Sequence, residues 1–410
     1  MCAQSGLYLG SLSILDGFLL VLSNKFNPLD PMFPNNAREL FRHMRDCQPV
    51  FKEERQGKRI IHMFRYADCA QALQDYGQWS SNISLFEQLL LGDAAIMIQD
   101  DPPVHTAYRR AITPWFNHRT ASVSKIVKRG FGFLDIELNK TYFDGVALAE
   151  RISTEVIVLI FGFRPVELEF LKSWYARFGA GVGIEFLEFE GERVDAQEKF
   201  VREMHLELDV FLDRVISDPP KQIEEMIASV EKVLEDRRSS RALLKSLIFA
   251  SGHTLSGQIV NSLEVLASQS IKRQKILQTD LGTWSRQISE ECIRIRPVFR
   301  GSHRVASRDC EIGGIQVEKG SYLIIWNASA NLDDRVYENP ESIQFQVRGC
   351  RHLSFGRGVH RCIGSVLASQ VITATVSQVL GTKRLLTLRS STPAKDPWID
   401  SFESLELNVQ

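Results

Sequence analysis

The seven cysteines of this 410-residue chain, at positions 2, 47, 69, 292, 310, 350 and 362, are odd in number and contain no C-x-x-C pair. Scatter of this kind argues against a disulfide framework or a structural zinc site and for reduced cytosolic thiols. An excess of one charge is missing too. The 49 basic and 50 acidic residues give a formal net charge of -1, which argues against a general nucleic-acid-binding surface. No glycine-rich phosphate loop, serine nucleophile elbow or H-E-x-x-H pair occurs, so nucleotide-binding and hydrolase templates find no support. Long apolar runs are scarce. Residues 7–22 come nearest, but Asp16 interrupts them, no basic leader precedes them, and they fall short of the ~20 residues a spanning helix needs. Residues 1–26 therefore read as an extension whose first part packs on the body, with no stable membrane insertion expected.

What is present is a soluble globular composition, 44% apolar and 24% charged, without repeats or low-complexity blocks. "NPLDPMFPNN" at 27–36 reads as an extended segment, since proline blocks helix continuation. From there to about residue 295 helical periodicity dominates. Leu243, Leu244, Leu247, Ile248, Leu255, Ile259, Leu263 and Leu266 recur at three- and four-residue steps and predict a long, mostly buried helix. At 303–329 the texture changes to alternating apolar and polar residues with Gly-Gly and Lys-Gly turns, which predicts short strands and hairpins. The fold class expected is mainly α with small β-sheets (α+β).

The chemistry concentrates in "HLSFGRGVHRCIGSVLASQ", residues 352–370. Gly356 and Gly358 allow positive φ and close backbone approach. Arg357, His360 and Arg361 add positive charge, and the N–H groups of the helix start after Cys362 favour an ionised sulfur. Three readings compete: a buried structural cysteine, a catalytic nucleophile with His360 as base, and a cysteinate ligand to haem iron. Only the last accounts for the glycines as room for a porphyrin and the basic residues as partners for its propionates.

Phe355, Gly356, Gly358, His360, Cys362 and Gly364 match the signature F-G-x-G-x-H-x-C-x-G, and the chain resembles the cytochrome P450 family from about residue 27 to 410. The resemblance implies a triangular, helix-rich single domain with haem b between the long central helix and the cysteine loop, Cys362 being the axial thiolate and Ala368 lying on the helix behind it. Glu291 and Arg294, in "EECIRIRP", resemble the family's E-x-x-R pair, expected to tie their helix to the cysteine loop. "DDPPVHTAYRR" at 100–110 resembles the helix over the haem edge, which makes His105 and Arg109 propionate partners together with Arg304 and His360. The pocket residues implied are Phe86, Leu90, Phe178, Phe249, Leu255 and Val298.

Two departures stand out. The long helix reads Ala250, Ser251, Gly252, His253, Thr254, with no carboxylate where the family carries an acid before the threonine. Asn261, seven residues after Thr254, favours the register that puts His253–Thr254 at the acid–alcohol pair. His253 is then either a substitute proton shuttle or an outward-facing residue. Gln344 stands where the family usually has an arginine, and its side chain is expected to hydrogen-bond Glu291.

The resemblance implies a cytoplasmic, monomeric, bacterial-type monooxygenase. It would use O2 and two electrons from a ferredoxin-type donor and its reductase to oxidise a small hydrophobic, terpenoid-like or other natural-product substrate. Arg110, Arg119 and Arg361 are candidates for steering an acidic donor. Two alternatives stay open: a peroxide-using or atypical enzyme catalysing coupling, rearrangement or desaturation with substrate-assisted proton delivery, and a non-catalytic haem-thiolate ligand-binding protein.

Overall fold

Strands flank the helical body on both sides, and Val50–Met63 forms a hairpin inside the stretch where helical periodicity is expected to dominate. The computed structural model describes residues 26–410 apart from 29, 56, 83–96, 129, 183–191, 236, 270–280, 346–351 and 383, and apart from the side chains of 176, 178–182, 192–198, 201, 237 and 281–283. Helix α1 (Phe33–Cys47) buries Phe33, Ala37, Leu40, Phe41 and Met44 along one stripe. The extended segment expected at 27–36 is therefore cut short. Pro34 sits in the first turn of α1, where its missing N–H has no intrahelical partner to lose.

Strands β1 (Val50–Arg55) and β2 (Lys58–Met63) form a hairpin, followed by α2 (Tyr66–Gln74) and the short β3 (Trp79–Ser80). A helical body comes next: α3 (Val104–Val127), α4 (Gly132–Leu138), strand β4 (Tyr142–Asp144), α5 (Gly145–Phe161), α6 (Pro165–Val182), α7 (Glu192–Ser217), α8 (Lys221–Leu234), α9 (Arg237–Ser268) and α10 (Leu281–Ile295). The bounds of α5 show local chemistry at work. The Asp144 carboxylate accepts from the N–H groups of Val146 and Ala147 at its start, and Gly162 ends it at φ +76°.

Beyond α10 come β5 (Ser302–Ala306), β6 (Cys310–Ile312), β7 (Ile315–Val317), β8 (Tyr322–Ile325), α11 (Asn327–Ala330), a single 3-10 turn at Gly358–His360, α12 (Ser365–Gly381), β9 (Leu386–Pro393) and β10 (Phe402–Val409). The strands expected at 303–329 are present, and β6 turns into β7 through Gly313 and Gly314, both at positive φ. A five-stranded sheet has the order β1-β2-β8-β5-β3, and a three-stranded one the order β4-β10-β9.

The long helix runs from Arg237 to Ser268, about 48 Å at 1.5 Å per residue. All eight residues that predicted it are buried, and α5, α8, α10, α12 and the β9–β10 hairpin pack around it. One polar network fastens it to the C-terminal hairpin. Arg296 pairs with Glu264 at 3.1 Å and with Asp400 at 2.8 Å, Arg300 pairs with Asp400 at 3.0 Å, and Asn261 Nδ2 donates to the Asp400 carbonyl at 2.7 Å. Among the described residues no helix is long and apolar enough to cross a membrane.

Burial alone would raise the Asp400 carboxyl, but Arg296 and Arg300 more than cancel it and hold the group below its ordinary range. A depressed carboxyl stabilises the fold above its unfolded pKa, and that stability is lost as pH falls through the folded value. Asp400→Asn leaves two guanidinium groups facing a neutral amide. Its unfolding free energy should fall by ~3–5 kcal/mol at neutral pH, and chemical denaturation should show the gap to wild type narrowing below about pH 4.

Candidate active site

The turn carrying Cys362 is built by glycine and by one backbone bond. Gly356 and Gly358 take φ +66° and +71°, and a Cβ on Gly358 would lie 2.9 Å from the Leu73 carbonyl oxygen at the end of α2. The Cys362 N–H donates to the Phe355 carbonyl at 2.9 Å, closing the loop over the half-buried Phe355 ring. The sulfur faces the N–H groups of Gly364 and Ser365 at the start of α12, and the Ala368 N–H binds the Gly364 carbonyl one turn on. Burial nevertheless pushes the thiol above its ordinary value, outweighing those N–H groups, Arg109 and Arg361. The N–H groups expected to favour an ionised sulfur act in that direction, but burial outweighs them. Cys362 itself is exposed at the turn.

Basic groups from three elements converge here. His105 on α3 is buried, and neither ring nitrogen has a hydrogen-bond partner among the described residues. Its ring centroid lies 4.4 Å from that of His360. His360 Nε2 stands 3.7 Å from Asp101 Oδ1, an acid held by the Ser80 hydroxyl and the Ser81 N–H. Arg109 donates to the Arg361 carbonyl at 2.9 Å, and the charge of Arg304 on β5 acts on His360. Burial, then Arg304 and His105, push His360 down to about 4 against the pull of Asp101. His105 is lowered likewise, by burial and then Arg109. This is a set of donors with too little negative charge among them.

Glu291 and Arg294 form a buried two-point ion pair at 2.9 and 2.6 Å. The direct tie to the cysteine loop expected of this pair is made by its neighbours instead. Arg294 spends its remaining N–H groups on the carbonyls of Asn331, Pro340 and Ser342. Asn331 then holds the loop through Leu353 and Ser354, and Ser354 reaches the Ile293 carbonyl of α10. Gln344 meets Glu291 through its backbone N–H at 3.0 Å, while its side-chain Nε2 is buried without a partner among the described residues. The side-chain bond expected of Gln344 is thus replaced by a main-chain one, because Arg294 already occupies the carboxylate edge-on.

In α9, hydroxyl groups crowd alternate carbonyls of one stretch. Thr254 Oγ1 donates to Ala250 O at 2.6 Å, Ser153 and Ser256 donate to Gly252 O, and Ser251 and Tyr175 donate to Ile248 O. The Tyr175 ring lies on Gly252, where a Cβ would come within 2.3 Å of it. His253 is half-buried and its Nε2 is bonded to the Tyr175 carbonyl, which has no proton to pass on. It faces α6, not open solvent. Burial lowers it, opposed by that bond and by Asp396, a carboxyl from the β9–β10 connection. Nothing in the periodicity of α6 marks Tyr175 for this contact.

Of the pocket residues, Phe86, Leu90 and the Phe178 side chain lie outside the described residues. Phe249 stacks on His205 and meets Trp174 edge-on at the α6–α7 side, Leu255 is in the main core, and Val298 packs on Gly257 of α9. Phe299, which periodicity does not mark, is 41% exposed and bridges Ile399 of the C-terminal connection. Arg110 and Arg361 are exposed, whereas Arg119 is half-buried and spent on the Leu159 and Ile160 carbonyls that end α5.

A long buried helix packed on the E-x-x-R helix α10 and on α12, the helix that follows the cysteine loop, is the arrangement expected of a haem-thiolate protein. Comparison with known proteins agrees: residues 285–402 match the cytochrome P450 family. Cytochrome P450 119 of Sulfurisphaera tokodaii is 25% identical over 344 residues, 80% of this chain and 87% of that protein. The erythromycin C-12 hydroxylase of Saccharopolyspora erythraea is 23% identical over 335 residues, covering 79% and 81%. The structure of P450BioI in complex with an acyl carrier protein bearing hexadec-9Z-enoic acid superposes with TM-score 0.79 at 20% identity, over 93% of this chain and 99% of that one. The chain belongs to the cytochrome P450 family and is an oxidoreductase of that class. Membership implies haem held by a cysteine thiolate. The residues present fit such a group: an exposed sulfur at a helix start, and histidine nitrogens without partners among the described residues, close to arginines that could pair with carboxylates.

The Tyr175–Gly252 contact is open to a direct check. Gly252→Ala should destabilise the protein by ~1–3 kcal/mol through overpacking. In a Tyr175→Ala background the same substitution should cost almost nothing, a non-additivity that thermal unfolding of the four proteins would measure.

Proposed function

We propose that residues 27–410 form one haem-thiolate domain, with haem b on Cys362, and that the protein is a monooxygenase for a small hydrophobic, natural-product-like substrate. The observation that carries this is the convergence of His105, Arg109, Arg304 and His360 around the Cys362 turn. When bound, haem supplies the activation of O2 and the transfer of one oxygen atom to the substrate. The side chains here have separate duties. Cys362 binds iron through sulfur; the two histidines and two arginines neutralise and hydrogen-bond the propionates; Phe355 and Gly356 shape the loop; Gly364 and Ala368 keep the helix start close to the porphyrin.

Thr254 Oγ1, bonded to the Ala250 carbonyl, is the hydroxyl of α9 that would hold a proton for the reaction. Apolar groups such as Phe249, Leu255, Val298 and Phe299 exclude water and favour an apolar substrate. Relatives named for erythromycin C-12 hydroxylation and cyclomarin C epoxidation support a natural product as the substrate. Two electrons arrive from a separate ferredoxin-type donor and its reductase, steered to the Cys362 side by the exposed Arg110 and Arg361. The protein works in the cytoplasm as a monomer.

One observation favours a second reading. His253 is committed to the Tyr175 carbonyl, so proton delivery can rest on groups the substrate brings, or be dispensed with when peroxide is the oxidant, as in a peroxide-using or substrate-assisted enzyme.

Purified protein titrated with terpenoids, fatty acids, steroids and aromatic compounds should show a low- to high-spin change in its haem absorption with one class, and Cys362→Ser should abolish the thiolate-type spectrum. With ferredoxin, reductase and a responding compound, Thr254→Ala should slow product formation by ~10²-fold. Undiminished product from the variant, or wild-type product with peroxide and no reductase, would select the second reading.

A further inference from the structure

His352 opens the cysteine-bearing stretch yet has no part in the ligand signature. Its side chain is buried, and the Ser354 N–H points at Nδ1 from 3.3 Å. Nδ1 is therefore the bare nitrogen, and Nε2 carries the hydrogen that it donates to Glu290 Oε2 at 3.2 Å. Ser369 on α12 acts on the same carboxylate and lowers its pKa. Glu290 thus grips the chain on both sides of Cys362, from the residue beside the E-x-x-R pair.

The contacts run on to the sulfur. The His352 ring centroid lies 5.6 Å from that of Phe355, whose carbonyl accepts the Cys362 N–H, and the Ser354 hydroxyl binds the Ile293 carbonyl on the same turn of α10. Glu290 is three-quarters buried. Burial works to raise its carboxyl, but the bond from His352, the Ser369 side chain and the nearby Arg286 hold it below the ordinary value, so it is a fixed negative charge at neutral pH. A fixed charge of that sign favours the more positive of two redox states of a nearby metal.

We propose that Glu290 is a positioning residue of the cysteine loop: through His352 and Ser369 it fixes both flanks of Cys362, and its charge holds the reduction potential of the bound iron at a more negative value. This rests on the reading of Cys362 as haem ligand and assigns that ligand its outer support.

The test measures midpoint potential and the ferrous carbonyl spectrum of the purified, haem-loaded protein. Glu290→Gln keeps the shape and an acceptor for His352 while removing the charge, and should move the midpoint to a more positive value with the thiolate-type carbonyl band retained. Ser369→Ala removes one grip without touching the charge. It should leave the midpoint in place and convert more of the carbonyl complex to the sulfur-detached form on warming. An unchanged midpoint in Glu290→Gln overturns the proposal alone, whereas a wild-type protein without a thiolate-type spectrum overturns the Cys362 reading and the proposal with it. If Glu290→Gln does not retain haem, Glu290→Asp decides: a wild-type midpoint with more sulfur-detached carbonyl complex upholds the charge effect, and a positive shift overturns it.

Discussion

The buried Glu291–Arg294 pair is the constraint from which the rest of the proximal structure follows. All five N–H groups of Arg294 are used, two on Glu291 and three on main-chain carbonyls at 331, 340 and 342. A buried ion pair stabilises only when its remaining hydrogen-bonding capacity is filled, and here it is filled by the segment that must be held still. Asn331, whose carbonyl is one of those acceptors, uses its side chain on Leu353 and Ser354. The order of the cysteine turn is thus inherited from a charge pair that does not touch it. Gln344 adds no second cation, so the unit stays electrically balanced.

On the other side of that turn the balance is broken. His105, His360, Arg109 and Arg304 are drawn together with two acids, Asp100 and Asp101, near the histidines. Donor nitrogens buried without acceptors are costly to a fold. The protein tolerates that cost at a place where an anionic group completes the set. The same logic applies to Cys362, whose thiol is raised by burial until a cation offsets the desolvation. Both sites fit one group that would carry a cation at its centre and carboxylates at its edge, as proposed above.

The α9 stretch from 248 to 256 shows a different economy. Its carbonyls are shared with hydroxyls of Ser153, Tyr175, Ser251, Thr254 and Ser256, and helices that share carbonyls in this way bend or widen. Here His253 and Tyr175 fasten α6 onto that stretch at the spot where Gly252 leaves room for a ring. The residue at the acid position therefore joins two helices. Its chemistry is spent on packing.

The sequence by itself determined the helix-rich class, the long α9, the hairpins after residue 302 and the residues of the cysteine turn. Each depends on local period, on glycine at positive φ or on a dense motif, all of which are short-range properties of the chain. It did not reveal that Pro34 starts a helix, that Gln344 works through its backbone, that Arg119 closes α5, or that Glu290 and Ser369 meet. Those outcomes turn on which distant group reaches a given donor or acceptor first. Tertiary structure alone decided them, because a hydrogen bond or ion pair depends on distances of a few ångströms between residues tens to hundreds of positions apart, and no periodicity in the chain records such distances.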